Sequence, residues 1–135
     1  MNEIFESNRN FKMWAYTVSH SSLILRSEMR YPDQDDSENY QYNIDLEFLT
    51  VQYINIPSTF KTLRIREITE KELSQEIDRD LLMYGMKIFE LQTNGNKYYI
   101  ISGSLLIAKN IWHNEDRIFN YNANLKHDEI IFSTK

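Results

Sequence analysis

The dipeptide Asn94-Gly95 lies between two apolar runs and is the strongest hairpin signal in the chain, because a type I′ turn needs positive φ at both central residues. A two-residue loop also sets the pairing. Thr93 then faces Asn96, Leu91 faces Tyr98 and Phe89 faces Ile100 on one side of the ribbon; Glu90 faces Tyr99 and Gln92 faces Lys97 on the other. The first side is apolar enough to be core, and the second is expected to stay available for contact. A slip of one residue would reverse every assignment.

Other segments read as strands. Tyr40, Tyr42, Ile44, Leu46 and Phe48 alternate with Gln41, Asn43, Asp45 and Glu47, the period of a half-buried antiparallel strand, so Asp45 and Glu47 are expected on a wet face. The inward phase then passes to Leu49, Val51 and Tyr53 and again to Ile54 and Ile56, which implies a bulge or bend before Pro57. Residues 11–18 and 23–26 flank the turn residues Ser19-His20-Ser21-Ser22 and read as a hairpin. Residues 60–67 supply another strand, with Leu63 and Ile65 facing one way and Arg64 and Arg66 the other. Gly103 marks a kink, and residues 130–132 a last strand.

Residues 69–84 carry helix signals that agree with one another. Thr69 and Glu72 have the spacing of a capping box, Ile68 can staple to Leu73, the stripe Leu73, Ile77, Leu81 and Tyr84 is amphipathic, and Gly85 stands where a helix ends. One main helix is expected there, and Asn114 could cap a short one through Ile118. The fold class that follows is α+β: a strongly bent antiparallel sheet, curling toward a partial barrel, with one main amphipathic helix. No repeat or linker divides residues 1–135, which read as a single domain with a disordered N-terminal tail over 1–10 and a solvated acidic loop over 32–39.

Composition narrows the function. Cysteine is absent, which excludes disulfides, thiolate metal sites and thiol nucleophiles and suits a reducing cytoplasm. The first ten residues show no secretory signal, and no apolar run approaches the roughly 20 residues of a bilayer span, so no membrane role is expected. A net charge of -5 disfavours general nucleic-acid binding.

Motifs for catalysis are missing too. His20, His113 and His127 are far apart and lack metal-ligand spacing, so neither a metal nor another cofactor is expected. A Ser-His pair can be written at Ser19-His20, but both are ordinary turn residues. The acidic run Asp33, Asp35, Asp36 and Glu38 lacks the glycine and terminal glutamate of an EF-hand. Three separated glycines allow no phosphate-binding loop, and no catalytic residue is assigned.

The nine tyrosines, seven phenylalanines and two tryptophans are a large aromatic load, most of it expected in the core, and aromatic residues with arginine are what protein interfaces concentrate. The candidate binding residues are Arg64, Arg66, Lys97, Tyr99, Trp112 and His113. The expectation is a non-enzymatic protein-binding module of the bacterial cytoplasm, such as an immunity-type inhibitor or small accessory subunit, with another protein as its partner, a basic one being the kind that an acidic chain suits. The alternative is a small-ligand binder or enzyme using the concave side of the curved sheet.

Overall fold

A computed structural model describes residues 2–29, 41–112 and 128–134. Seven strands follow in order: β1 (Asn2–Thr17), β2 (Ser22–Ser27), β3 (Asn43–Asn55), β4 (Thr59–Ile68), β5 (Lys87–Thr93), β6 (Asn96–Asn110) and β7 (Glu129–Ser133). All pairings are antiparallel, in the order β3-β2-β1-β4-β5-β6-β7, and a further β3–β6 pairing closes the first six strands on themselves. Strand β6 has β3 along one side, with β5 and then β7 along the other.

This corrects the α+β class: the described residues are 67% strand and 9% helical, one curved sheet without a main amphipathic helix. Residues 69–86 instead form a strap with two short 3-10 stretches, Glu70–Glu72 and Arg79–Gly85. The reason is chain closure. Ile68 and Ile88 are direct cross-strand partners, so the strap must return to where it left. A helix over 70–84 would span about 21 Å, which residues 68–70 and 84–88, about 20 Å together when fully extended, could recover only with the chain drawn taut. Side chains also compete for the backbone: the Glu76 N–H donates to Ser74 Oγ and the Asp80 N–H to Asp78 Oδ1. The Arg79 guanidinium donates to the carbonyls of Leu73, Ser74 and Ile77, groups that a continuous helix would have satisfied itself. The Thr69 signal does form locally, since the Glu72 carboxylate accepts from the Thr69 N–H at 3.3 Å.

The N-terminal tail expectation is also corrected. Residues 2–10 are the first part of β1 and pair with β4, from Asn2↔Glu67 to Asn10↔Lys61. Phe5 packs edge-on to Phe11, which stacks on Phe60, so apolar burial holds this segment. The acidic loop over 32–39 and the short helix from Asn114 lie outside the described residues.

The inward faces of the ring build the main core. It includes Phe11, Leu23, Leu25, Leu46, Phe48, Phe60, Leu63, Ile65, Phe89, Leu91, Ile100 and Ile107, with Phe48 and Phe89 edge to face at 5.7 Å. In β3 the inward parity runs through Ile44, Leu46 and Phe48, changes at Val51, and continues with Ile54. The register shifts between Val51 and Tyr53, and Thr50 has φ 55°. Gly103 lies opposite this kink: a Cβ there would sit 3.2 Å from the Thr50 Cβ, tighter than side chains normally pack. The β5–β6 hairpin has the register read from its turn, Leu91↔Tyr98 and Phe89↔Ile100, with Asn94 and Gly95 both at positive φ.

Candidate surface site on the outer face of the sheet

Period-two alternation sends the other half of these side chains outward, and the antiparallel register lines them up in rows across four strands. One row runs Arg66, Glu90, Tyr99, Asn55 and the next Ile68, Ile88, Ile101, Tyr53, across β4, β5, β6 and β3. A third, on β4 to β6, is Arg64, Gln92, Lys97. Arg64, Arg66, Lys97 and Tyr99 therefore share one face.

The strap lies over part of this face. Its Leu73 and Ile77 are buried with Ile68, Ile88 and Ile101 in a second apolar cluster, against which Tyr53, Leu81, Leu82, Met86 and Tyr99 pack. This covering changes one expectation. Glu90, read as available for contact, is only 1% exposed. Its carboxylate accepts from Arg66 Nε at 2.7 Å, from Arg66 Nη2 at 3.3 Å and from Gln92 Nε2 at 2.7 Å. Burial by itself would raise the Glu90 pKa, but the hydrogen bonds from Arg66 and Gln92, with the charges of Arg66 and Lys97, hold it below the ordinary carboxylate value. The same hydrogen bond, against some desolvation, raises the Arg66 pKa, helped by the charges of Glu90 and Glu72. Tyr99 is pushed upward by burial and by the Glu90 charge, with Arg66 opposing.

The strap also presents side chains outward. Tyr84, expected on the buried helix stripe, is 90% exposed, and Met83 beside it is 53% exposed. Tyr84 has φ 67° and is followed by Gly85 at φ 76°. A left-handed non-glycine residue costs about 1 kcal/mol or more, here with almost no burial of the ring in return. Between the strap and the sheet lies an open groove of about 470 Å³, floored by Tyr53 and Tyr99 and walled by Ile77, Leu81, Glu76 and Asp78.

The remaining candidates lie elsewhere or are already engaged. Arg64 is half exposed and pairs with Glu3 at 2.9 Å and Glu6 at 3.3 Å. Lys97 is exposed. Trp112 follows the far end of β6, its backbone held by the side chains of Asn110 and Asn43, and His113 lies outside the described residues. Ser19 Oγ and His20 Nδ1 meet at 3.0 Å on an exposed turn. Among the described residues no three His, Asp or Glu side chains converge as a metal ion would require.

The outer face of β2 and β3 corrects a second expectation. Asp45 and Glu47 are 0% and 4% exposed, not wet. Asp45 is the cross-strand partner of Arg26 and accepts from its Nε at 2.6 Å and Nη2 at 2.8 Å. Asn110 Nδ2 donates to the same carboxylate, and the Trp14 ring lies 4.4 Å from the Arg26 guanidinium carbon. Nothing in the local alternation distinguishes this buried polar row from a solvated one.

Comparison of the chain with protein-family models, curated proteins and solved structures finds no match. The class defined by fold and surface is an antiparallel β-protein with a filled interior and an acidic strap across one outer face. No helix among the described residues is long and apolar enough to cross a membrane.

Proposed function

We propose that this chain is a non-enzymatic protein-binding module of the bacterial cytoplasm, of the immunity-inhibitor or accessory-subunit kind, and that it meets its partner through the strap. The observation that carries this reading is Tyr84, 90% exposed and held at positive φ beside exposed Met83. Backbone strain at an aromatic side chain left almost fully exposed supports a role as an interface anchor.

The charge of the strap supports a basic partner. The strap holds Glu70, Glu72, Glu76, Asp78 and Asp80 against Lys71 and Arg79, and Arg79 is occupied by backbone carbonyls. An acidic surface around an aromatic anchor suits a basic partner. The alternative, a ligand site on the concave side of the sheet, is less well supported because Phe11, Phe48, Phe60 and Phe89 already fill that side.

A photo-cross-linking residue at position 83, compared with one at exposed Lys61 on β4, tests the reading in native cells. A discrete adduct is expected from position 83 alone, and Tyr84→Gly should abolish it. That variant should not lower the melting temperature, because relief of about 1 kcal/mol of left-handed strain offsets the added freedom of the unfolded chain. Identical adducts from both positions would overturn the proposal.

A further inference from the structure

The groove beside the strap has a composition that selects for one kind of side chain. Its floor is aromatic: Asn55 and Tyr99 are direct partners across β3 and β6, and Tyr53, two residues before Asn55, faces the same way. Both tyrosines are partly buried against the second apolar cluster, so their rings are held in place by packing. Ile77 and Leu81 add apolar lining, and the acidic residues Glu76 and Asp78 line the groove as well. Among the described residues the Glu76 carboxylate and the two tyrosine hydroxyls have no hydrogen-bond partner, and Asp78 is engaged only by the Asp80 N–H.

Each part has a counterpart in arginine. A guanidinium plane stacks on a tyrosine face, its donor fork matches a carboxylate, and its methylene stem covers apolar surface. The groove, about 470 Å³, is open to solvent on one side, as docking of a side chain from another protein needs. A neutral ligand would leave both carboxylates unused, and an anion would be repelled by them. We infer that the groove between the strap and β3/β6 is a receptor for an arginine side chain of the basic partner, seated on Tyr53 and Tyr99 and held by Glu76 and Asp78. This inference builds on the protein-binding reading and names the partner residue that the surface recognises.

The test uses the full chain and small probes, so it needs no knowledge of the partner. Amide spectra are followed during titration with N-acetyl-arginine amide, with the lysine and norleucine amides for comparison. Saturable shifts are expected at Tyr53, Asn55, residues 74–81 and Tyr99 with the arginine probe. Glu76→Gln combined with Asp78→Asn should weaken its binding by about tenfold. Asparagine at position 78 preserves the cap on the second 3-10 stretch, so the strap should keep its fold. Tyr99→Phe retains the ring face and should bind as before, whereas Tyr99→Leu should lose several-fold. The inference is overturned if norleucine or lysine amide binds as tightly, if neutralising the two carboxylates leaves affinity unchanged, or if the shifts fall elsewhere. An arginine probe that fails while position 83 still cross-links selectively removes the groove and leaves the protein-binding reading standing; arginine binding without a selective cross-link keeps the groove's affinity for a guanidinium and removes the partner contact through Met83 and Tyr84.

Discussion

Two arginine–carboxylate pairs stand on the outside of the same sheet with nearly the same geometry and different surroundings. Arg26–Asp45 and Arg66–Glu90 each join direct cross-strand neighbours, and each offers two guanidinium nitrogens to two carboxylate oxygens. The Arg26–Asp45 side chains are 1% and 0% exposed; those of Arg66 and Glu90 are 18% and 2% exposed. Trp14 and Asn110 complete the first pair, whereas the strap only partly closes over the second. The lesson is that register can bring opposite charges together, but the cover above them decides how much each depends on the other. In the sealed site an abandoned charge has no water to turn to; in the half-open site it has some.

Truncation of a sealed partner is the most severe test. Asp45→Ala should lower stability by about 3–5 kcal/mol in denaturant melts, because Arg26 is left charged and buried. A loss no greater than that of Glu90→Ala would show that sealing is not what distinguishes the two sites.

The half-open pair should respond less, and with pH. Glu90→Gln is expected to cost about 1–2 kcal/mol at neutral pH. The folded-state pKa of Glu90 lies below its unfolded value, so this contribution is complete above about pH 4.3 and disappears as pH falls through the lowered folded value. Melts of the wild-type chain should therefore lose stability on acidification, and Glu90→Gln should flatten part of that slope. Equal slopes in the two proteins would mean that the carboxylate is not held in its charged form by Arg66 and Gln92.

Arg64 gives the smallest effect and the outer limit of the comparison. It lies on the same face, but its pairs with Glu3 and Glu6 are more than half exposed. Arg64→Ala should change stability by no more than about 0.5 kcal/mol, and less still in high salt. A larger loss in thermal melts would show that β1 depends on this residue for its pairing with β4.

How much of this was legible follows from the range of the forces involved. Asn94-Gly95 set the parity of the β5–β6 ribbon, because a two-residue turn leaves no other register, and the changing apolar phase of residues 44–56 announced the bend at Thr50. Of the candidate surface, Arg64, Arg66, Lys97 and Tyr99 could be named from parity alone. Glu76, Asp78 and Tyr53 could not, since their meeting depends on how the strap lies across β3 and β6. The spacing of Tyr84 suits a helix stripe although the ring is exposed, and Gly85 after it is the local signal for the left-handed turn that carries it there.

The sequence by itself determined which residues share a face, because side-chain parity and turn chemistry act over two to four residues. Tertiary structure decided which faces are covered and whether a helix could exist between β4 and β5. Asp45 became buried through Arg26 and Asn110, residues distant from it in sequence, and the helix signals of 69–84 gave way because Ile68 and Ile88 had to stand side by side. Both outcomes depend on closing the ring of strands, a constraint on distances between remote residues that no local pattern encodes.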